Sequence, residues 1–347
     1  MTHASIQLQL PPESARRFRL AKALTLVAAV AALFLAGPAE AQSARKLKIG
    51  YVLPQESQFG AGVAVFAEEV RKRMGERIAI EQYPNGALGG DLEMLKAVEL
   101  GTLDMVAMAA SPLSNIVPEL GVFNIPFIFM STAHAYAVLD GPIGKAYIDK
   151  FKGTGFVALG WAENGLRHIT NSKRAIRTPE DLKGLKLRLP QSEVMLIGFR
   201  AFGADVSTLA FPQLYGALQS GQFDGQENPI GTIIAVKFAQ VQKYLTLTGH
   251  IYDPALIVIS QDAFDTLSEG DQKALRDAAK IGGEASRKFS QDAQAKGVVA
   301  LSRAGMKITA KIDAKSFADA MAGALPEYGK RFGAEAIERI KQAGSGS

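Results

Sequence analysis

Short apolar runs alternate with stretches of helical period along most of this chain, which predicts strands and helices in turn and hence an α/β fold. Residues 46–53 predict a strand, 59–74 a helix, 77–83 a strand, 91–100 a helix and 103–109 another buried strand. The strand series continues at 156–161, 167–170 and 185–189, with a helix-start signal at Thr178-Pro179-Glu180-Asp181 between the last two. Residues 193–202, 211–219 and 232–244 predict helices. From 269 to 303 the chain is almost continuously helix-favouring and free of proline, too long for an ordinary connection, with a bend or break expected at Gly282-Gly283. Residues 315–342 predict one more helix or two, and Gly344-Ser345-Gly346-Ser347 a flexible tail.

A different pattern opens the chain. Arg16, Arg17, Arg19 and Lys22 precede an apolar run over 23–37, and Ala39-Glu40-Ala41 supplies a small-x-small cleavage pattern. This is a secretory leader, cleaved after Ala41, and it predicts a periplasmic protein. The run is about fifteen residues, short of the roughly twenty that span a bilayer. Arg16-Arg17 hints at twin-arginine export, but Arg19 stands where that signal favours an apolar residue, so Sec export is expected. The leader carries four of the basic residues and two of the acids, so its removal lowers the formal charge from +5 to +3. The basic residues that remain are scattered among acids rather than striped, which excludes a nucleic-acid-binding role.

Composition narrows the chemistry further. There is no cysteine, which excludes disulfides, thiolate metal sites and cysteine nucleophiles. The four histidines fall in no metal-binding spacing, and neither a G-x-S-x-G elbow nor a P-loop is present. Neither a metal nor a cofactor is therefore expected. The length left after the leader usually means two domains.

The stretch from 165 to 229 carries the candidate chemistry. Leu185-Lys186-Leu187-Arg188-Leu189 alternates strictly, so as a strand it places Lys186 and Arg188 on one face, either solvated or turned to a ligand. Arg167 follows Gly165, and glycine in a strand often marks the close approach of a ligand or backbone. Two guanidiniums on adjacent strands would make a carboxylate clamp, because the planar fork donates parallel hydrogen bonds and keeps its charge. Asp224-Gly225-Gln226-Glu227-Asn228-Pro229 is dense in turn-formers and predicts a polar turn, from which Asn228 can both donate and accept. Phe211 either stacks on ligand or fills core. Trp161 and Glu163 precede Arg167 at the same strand end; the tryptophan is core or contact, and the glutamate is solvated, paired with Arg167, or in touch with ligand. Tyr83-Pro84-Asn85-Gly86-Ala87-Leu88-Gly89-Gly90 is either an anion-holding turn at a helix start or a tight connection.

Several blocks in order, among them Leu100-Gly101-Thr102-Leu103-Asp104-Met105, Ile125-Pro126-Phe127-Ile128-Phe129, Asp181-Leu182-Lys183-Gly184-Leu185-Lys186-Leu187-Arg188, Tyr215-Gly216-Ala217-Leu218-Gln219 and the turn at 224–229, resemble the solute-binding proteins of tripartite ATP-independent periplasmic (TRAP) transporters of the dicarboxylate-binding type. The resemblance covers nearly all of the mature chain. It implies a type II-like periplasmic binding fold, two α/β domains with mixed sheets around a ligand cleft and a long bracing helix. It places domain I at 46–164 plus 254–292 and domain II at 165–253 plus 293–343. In that family the position of Arg188 holds the ligand carboxylate and that of Arg167 assists, while Asn228, Phe211 and Gln191 match common contacts. Sialic-acid binders carry an acid after the strand that here ends in Met108-Ala109-Ala110, so the alanines count against that ligand.

The function implied is a monomeric receptor that captures an organic acid anion and hands it to a TRAP-type permease. Two other readings remain. The same fold could present its ligand to a sensor. Gly60-Ala61-Gly62 after the first strand, with Glu81 some way on, could instead mark an exported dinucleotide-binding oxidoreductase, although Val65 stands where the third glycine belongs.

Overall fold

Nine strands pair into a single sheet: β1 (Arg45–Gly50), β2 (Ile78–Tyr83), β3 (Met105–Ala109), β4 (Phe156–Asn171), β5 (Lys186–Leu189), β6 (Asp205–Thr208), β7 (Gly225–Pro229), β8 (Tyr244–Ser260) and β9 (Lys307–Thr309). They are seen in a computed structural model that describes residues 45–343; the leader with its expected cleavage after Ala41, and the tail of Gly344, Ser345, Gly346 and Ser347, lie outside the described residues. The order is β2-β1-β3-β8-β4-β7-β5-β6, with β9 beside β8. Pairing is parallel within β2-β1-β3, within β7-β5-β6 and between β8 and β9, and antiparallel wherever else β4 or β8 takes part, so the sheet is mixed as expected.

Two long strands organise this sheet. β4 and β8, 16 and 17 residues long, run antiparallel through its centre. β3 pairs with the C-terminal end of β8, whereas β7 pairs with the C-terminal end of β4, so the two outer groups hang from opposite ends of one ribbon. The segments expected as separate strands at 156–161 and 167–170 are one strand that passes through three register shifts. Gly165, at one of them, has φ +126, and a Cβ there would lie 2.6 Å from Ser290 Oγ and 3.2 Å from Pro229. The close approach that this glycine signals is therefore to the protein's own side chains.

Other expectations give way to tertiary context. The predicted turn at 224–229 is mostly a fully buried inner strand, β7, because its polar side chains all find partners. Gln226 Nε2 donates to Thr170 Oγ1 at 2.8 Å, and Arg167 donates to both Glu227 and Asn228. The helix expected at 232–244 is a short helix, Ile230–Ala235, and a single 3-10 turn, Phe238–Gln240, before β8 begins. The tail of the described chain holds three helices, Ala314–Met321, Leu325–Phe332 and Ala334–Gln342, not one or two.

The long helix is Glu269–Arg303, 35 residues, started by Ser268, whose side chain accepts from the Asp271 N–H. It runs unbroken through Gly282-Gly283. These glycines instead let the backbone come close: a Cβ on Gly283 would lie 1.9 Å from the Trp161 carbonyl oxygen, and one on Gly282 2.7 Å from that of Gly62. The helix is thereby seated on β4 and on the helix Gln58–Met74. That second helix also contains Gly60-Ala61-Gly62 inside it, which removes the dinucleotide-loop reading, since the motif requires a strand-to-helix turn.

Candidate functional site

Where β4, β5 and β7 meet the first turns of the β1–β3 side, a cavity of about 30 Å³ is lined by Arg167, Arg188, Asn228 and Phe211, together with Asp91, Ser111, Asn164 and Pro190 and the apolar Val52, Leu53 and Phe59. Four of the seven expected contacts come together there. The two arginines are not on adjacent strands: β7 lies between β4 and β5, and both side chains line the cavity. Their situations differ.

Arg167 is spoken for. Its Nε and Nη2 grip Glu227 at 2.5 and 2.7 Å, Nη2 also donates to the Glu227 carbonyl at 2.8 Å and to Asn228 Oδ1 at 3.2 Å, and Nη1 donates to Asp253 Oδ2 at 3.2 Å. Asp253 in turn accepts from Ser111, Asn124 and Asn164 at 2.9–3.1 Å. Burial works against charge on Glu227, but the Arg167 charge and hydrogen bonds outweigh it and hold the carboxyl below its ordinary range. For Asp253 burial prevails over the same arginine, and its carboxyl is raised. His250 completes the network, with Nε2 3.1 Å from Glu227 and Nδ1 2.7 Å from Thr248 Oγ1. Burial lowers its imidazole, so the neutral ring donates to Glu227 and accepts from Thr248.

Arg188 has no such counterion. Only 2% exposed, it donates from Nε and Nη2 to a single carbonyl, that of Leu209, at 2.8 and 2.6 Å, and lies 5.8 Å from the Phe211 ring centre. No carboxylate forms an ion pair with it among the described residues. Burial, with the repulsion of Arg167, outweighs the help of Glu227 and Asp91 and pulls its guanidinium down to about 10. A buried cation without a counterion is costly, and an anion brought beside it would relieve that cost.

Three expected contacts lie elsewhere. The Glu163 side chain accepts from Tyr136 at 2.5 Å and from Tyr252 at 3.1 Å, and burial raises its carboxyl. Trp161 packs edge-on against Phe123, 5.7 Å between centres, as core. Gln191 offers its backbone carbonyl to Asn115 at 2.9 Å. A groove of about 520 Å³ beside Trp161 is larger than the cavity, but its Arg287 is already paired with Asp140, and it lacks a buried free cation.

Asp91 is the charged lining residue that sequence reasoning passed over. It opens the helix Asp91–Glu99 directly after the glycine-rich turn, so the anion at that helix start is the protein's own. Burial raises its carboxyl to about 6, against the pull of Arg188. Above the cavity the same turn meets the chain after β6: a Cβ on Gly86 would lie 2.8 Å from Pro212, and one on Gly90 3.2 Å from the Ala210 Cβ. The two lips touch, and the space beneath them is shut down to the volume of a water or two.

The comparisons with known proteins follow this geometry. Residues 49–331 match the model of the bacterial extracellular solute-binding protein family 7, which spans most of the chain. The chain belongs to that family. Its members serve TRAP transporters, and the fold expected from the sequence is theirs. A solute-binding protein of Verminephrobacter eiseniae is 43% identical over 305 residues, 88% of this chain and 91% of the relative. Two solved TRAP periplasmic solute-binding proteins superpose closely. One, from a Polaromonas species and bound to D-erythronate, has TM-score 0.86 and 44% identity over 87% of this chain and 99% of its own. The other, from Bordetella bronchispeptica with density assigned to pantoate, has TM-score 0.85 and 38% identity over 87% and 100%. The family is one of periplasmic receptors rather than enzymes, and these two solved relatives were described with small organic acids. Among the described residues no helix is long and apolar enough to cross a membrane.

Proposed function

We propose that this chain captures an organic acid anion by closing around it, with Arg188 taking the carboxylate, and delivers it to a TRAP-type permease. The observation that carries the reading is the contrast between two equally buried arginines. Arg167 is held by Glu227 and Asp253, whereas Arg188 has no ion-pair partner among the described residues and donates to the Leu209 carbonyl. Arg188 binds, and Arg167 with its carboxylates forms the rigid wall against which the ligand is placed. Asn228, fixed by Arg167 and by its own 2.5 Å bond to Gln226, and Phe211, stacked beside Arg188, frame the same anion.

The sheet supports a closing motion. The groups at the two ends of the β4–β8 ribbon act as two domains that hinge on it, with the long helix as brace, and the ligand stabilises the shut form by touching both. Because relatives of 44% and 38% identity were solved with erythronate and pantoate, a panel of small hydroxylated and dicarboxylic acids is the place to begin. A crystal structure with the acid that most raises the melting temperature tests the reading: a carboxylate within hydrogen-bond distance of Arg188 is expected, and a ligand seated away from it overturns the clamp. Delivery is checked separately by reconstituted uptake, which should require the loaded protein together with its permease; a protein that only presents ligand to a sensor would leave uptake unchanged.

A further inference from the structure

We propose that Thr170, Gln226 and Gln242, none of which lines the cavity, are positioning residues: a one-way chain of hydrogen bonds through them turns Asn228 so that it donates to the bound acid. The proposal rests on the receptor reading above and deepens it. These three side chains and Asn228 are all buried, so their polar atoms need partners inside the protein. The chain begins at Gln242, just before β8, whose Nε2 donates to the carbonyls of Val241 at 3.0 Å and Asp224 at 3.4 Å. Its Oε1 accepts from Thr170 Oγ1 at 3.0 Å. The Thr170 hydroxyl, its one hydrogen spent, accepts from Gln226 Nε2 at 2.8 Å across the β4–β7 pairing. Gln226 Oε1 then accepts from Asn228 Nδ2 at 2.5 Å, and Asn228 Oδ1 accepts from Arg167 Nη2 at 3.2 Å.

Both ends of this chain admit a single direction. Backbone carbonyls can only accept, and a guanidinium can only donate. Turning the Asn228 amide over would set its NH2 against an N–H of Arg167. Gln226 and Thr170 would have to reverse in turn, leaving the Gln242 carbonyl oxygen buried without a donor. Arg167 alone holds the amide loosely. Its Nη2 has two hydrogens for three acceptors, and Asn228 at 3.2 Å is the farthest, behind Glu227 Oε1 at 2.7 Å and the Glu227 carbonyl at 2.8 Å. The firmer hold on Asn228 therefore comes from Gln226 and the residues behind it. One Nδ2 hydrogen is left with no partner among the described residues, on a side chain that lines the cavity with Arg188. An N–H there suits a carboxylate oxygen, whereas a carbonyl turned the same way would repel it.

The test is a double-mutant cycle on the mature protein, read by calorimetry with D-erythronate, or with pantoate if that acid gives no heat. Asn228→Ala should weaken binding at least tenfold. Thr170→Val keeps the shape of the side chain and loses the hydroxyl. It should weaken binding at least fivefold in the wild-type background but less than twofold beside Asn228→Ala, because its effect passes through that amide. Thr170→Ser should keep wild-type affinity to within twofold. The empty Thr170→Val protein should melt lower, since two buried amides lose a partner, so the cycle rather than the single loss decides. Equal losses in both backgrounds would mean that the chain only stabilises the fold, and would overturn the proposal. No loss from Thr170→Val, or none from Asn228→Ala, overturns it too. If Thr170→Val does not fold, Gln242→Met, close in shape and farther along the chain from the cavity, takes its place in the cycle under the same criteria. Should the acid bind and depend on Arg188 while the cycle is additive, this proposal alone falls. If neither these acids nor others of the panel bind, the receptor reading falls with it.

Discussion

At the scale of single residues, two arginines of the same type and burial do different work because of what faces them. Removing Arg167 leaves Glu227 and Asp253 buried with no cation, so Arg167→Ala should destabilise the empty protein by about 3–5 kcal/mol in denaturant unfolding. Removing Arg188 strands no carboxylate and should cost much less stability. A stability loss as large for Arg188→Ala as for Arg167→Ala would contradict the division of roles. His168 adds a dependence on pH. Its Nδ1 accepts from the Gly249 N–H at 3.1 Å and its Nε2 faces Gln294 at 3.3 Å, and burial lowers the imidazole to about 4. The unfolded chain, with an ordinary imidazole near 6.5, therefore takes up a proton that the folded chain refuses. Stability falls as the pH drops from about 6.5 toward 4, and His168→Gln should flatten the fall in melting temperature over that window relative to wild type. Both arginines of the cavity were candidates in the sequence, Arg188 from an alternation that left its face either solvated or turned to a ligand, and Arg167 from a nearby glycine whose close approach proves to be to Ser290 and Pro229. Asp91 was not, because its meaning depends on a cavity closed by residues more than a hundred positions away. Glu163 was misplaced for a like reason: the tyrosines that satisfy it lie 27 and 89 positions off.

Elements were legible where their periodicity was local. The helices Gln58–Met74 and Glu269–Arg303 and the strands β1 to β3 carry their own patterns and fall close to their expected positions. The misses are strands whose polar residues imitate turns. β7 reads as punctuation until its Gln, Glu and Asn find partners, and β8 contains Gly249 and Pro254, the latter opposite Glu163 at a register shift. Gly282-Gly283 marks a contact, not a kink, and that distinction can be measured. Gly283→Ala would force a methyl into the Trp161 carbonyl and should cost about 1–3 kcal/mol, lowering the melting temperature. Gly329→Ala, within the helix Leu325–Phe332 and with open space around it, should raise stability by about 0.5–1 kcal/mol. A neutral Gly283→Ala would mean that the long helix is not seated on β4 as described.

For the whole molecule, the fold is a ribbon of two long strands with a lip of chain at each side of a small charged cavity. Gly90, which starts the helix Asp91–Glu99, sits so near the other lip that a Cβ there would lie 3.2 Å from the Ala210 Cβ. Gly90→Asn keeps a good helix-starting residue but should hold the lips apart, so ligand affinity should fall, mainly through faster release, while the empty protein melts as before. Unchanged release would argue that the lips do not seal the bound state. The most direct test of the account remains the free guanidinium itself. Isothermal calorimetry of D-erythronate with wild type, Arg188→Ala and Arg188→Lys should give a loss of about 2–5 kcal/mol for the alanine variant and partial recovery for lysine, whose charge lacks the planar fork. An Arg188→Ala protein that binds the acid as tightly as wild type would contradict it.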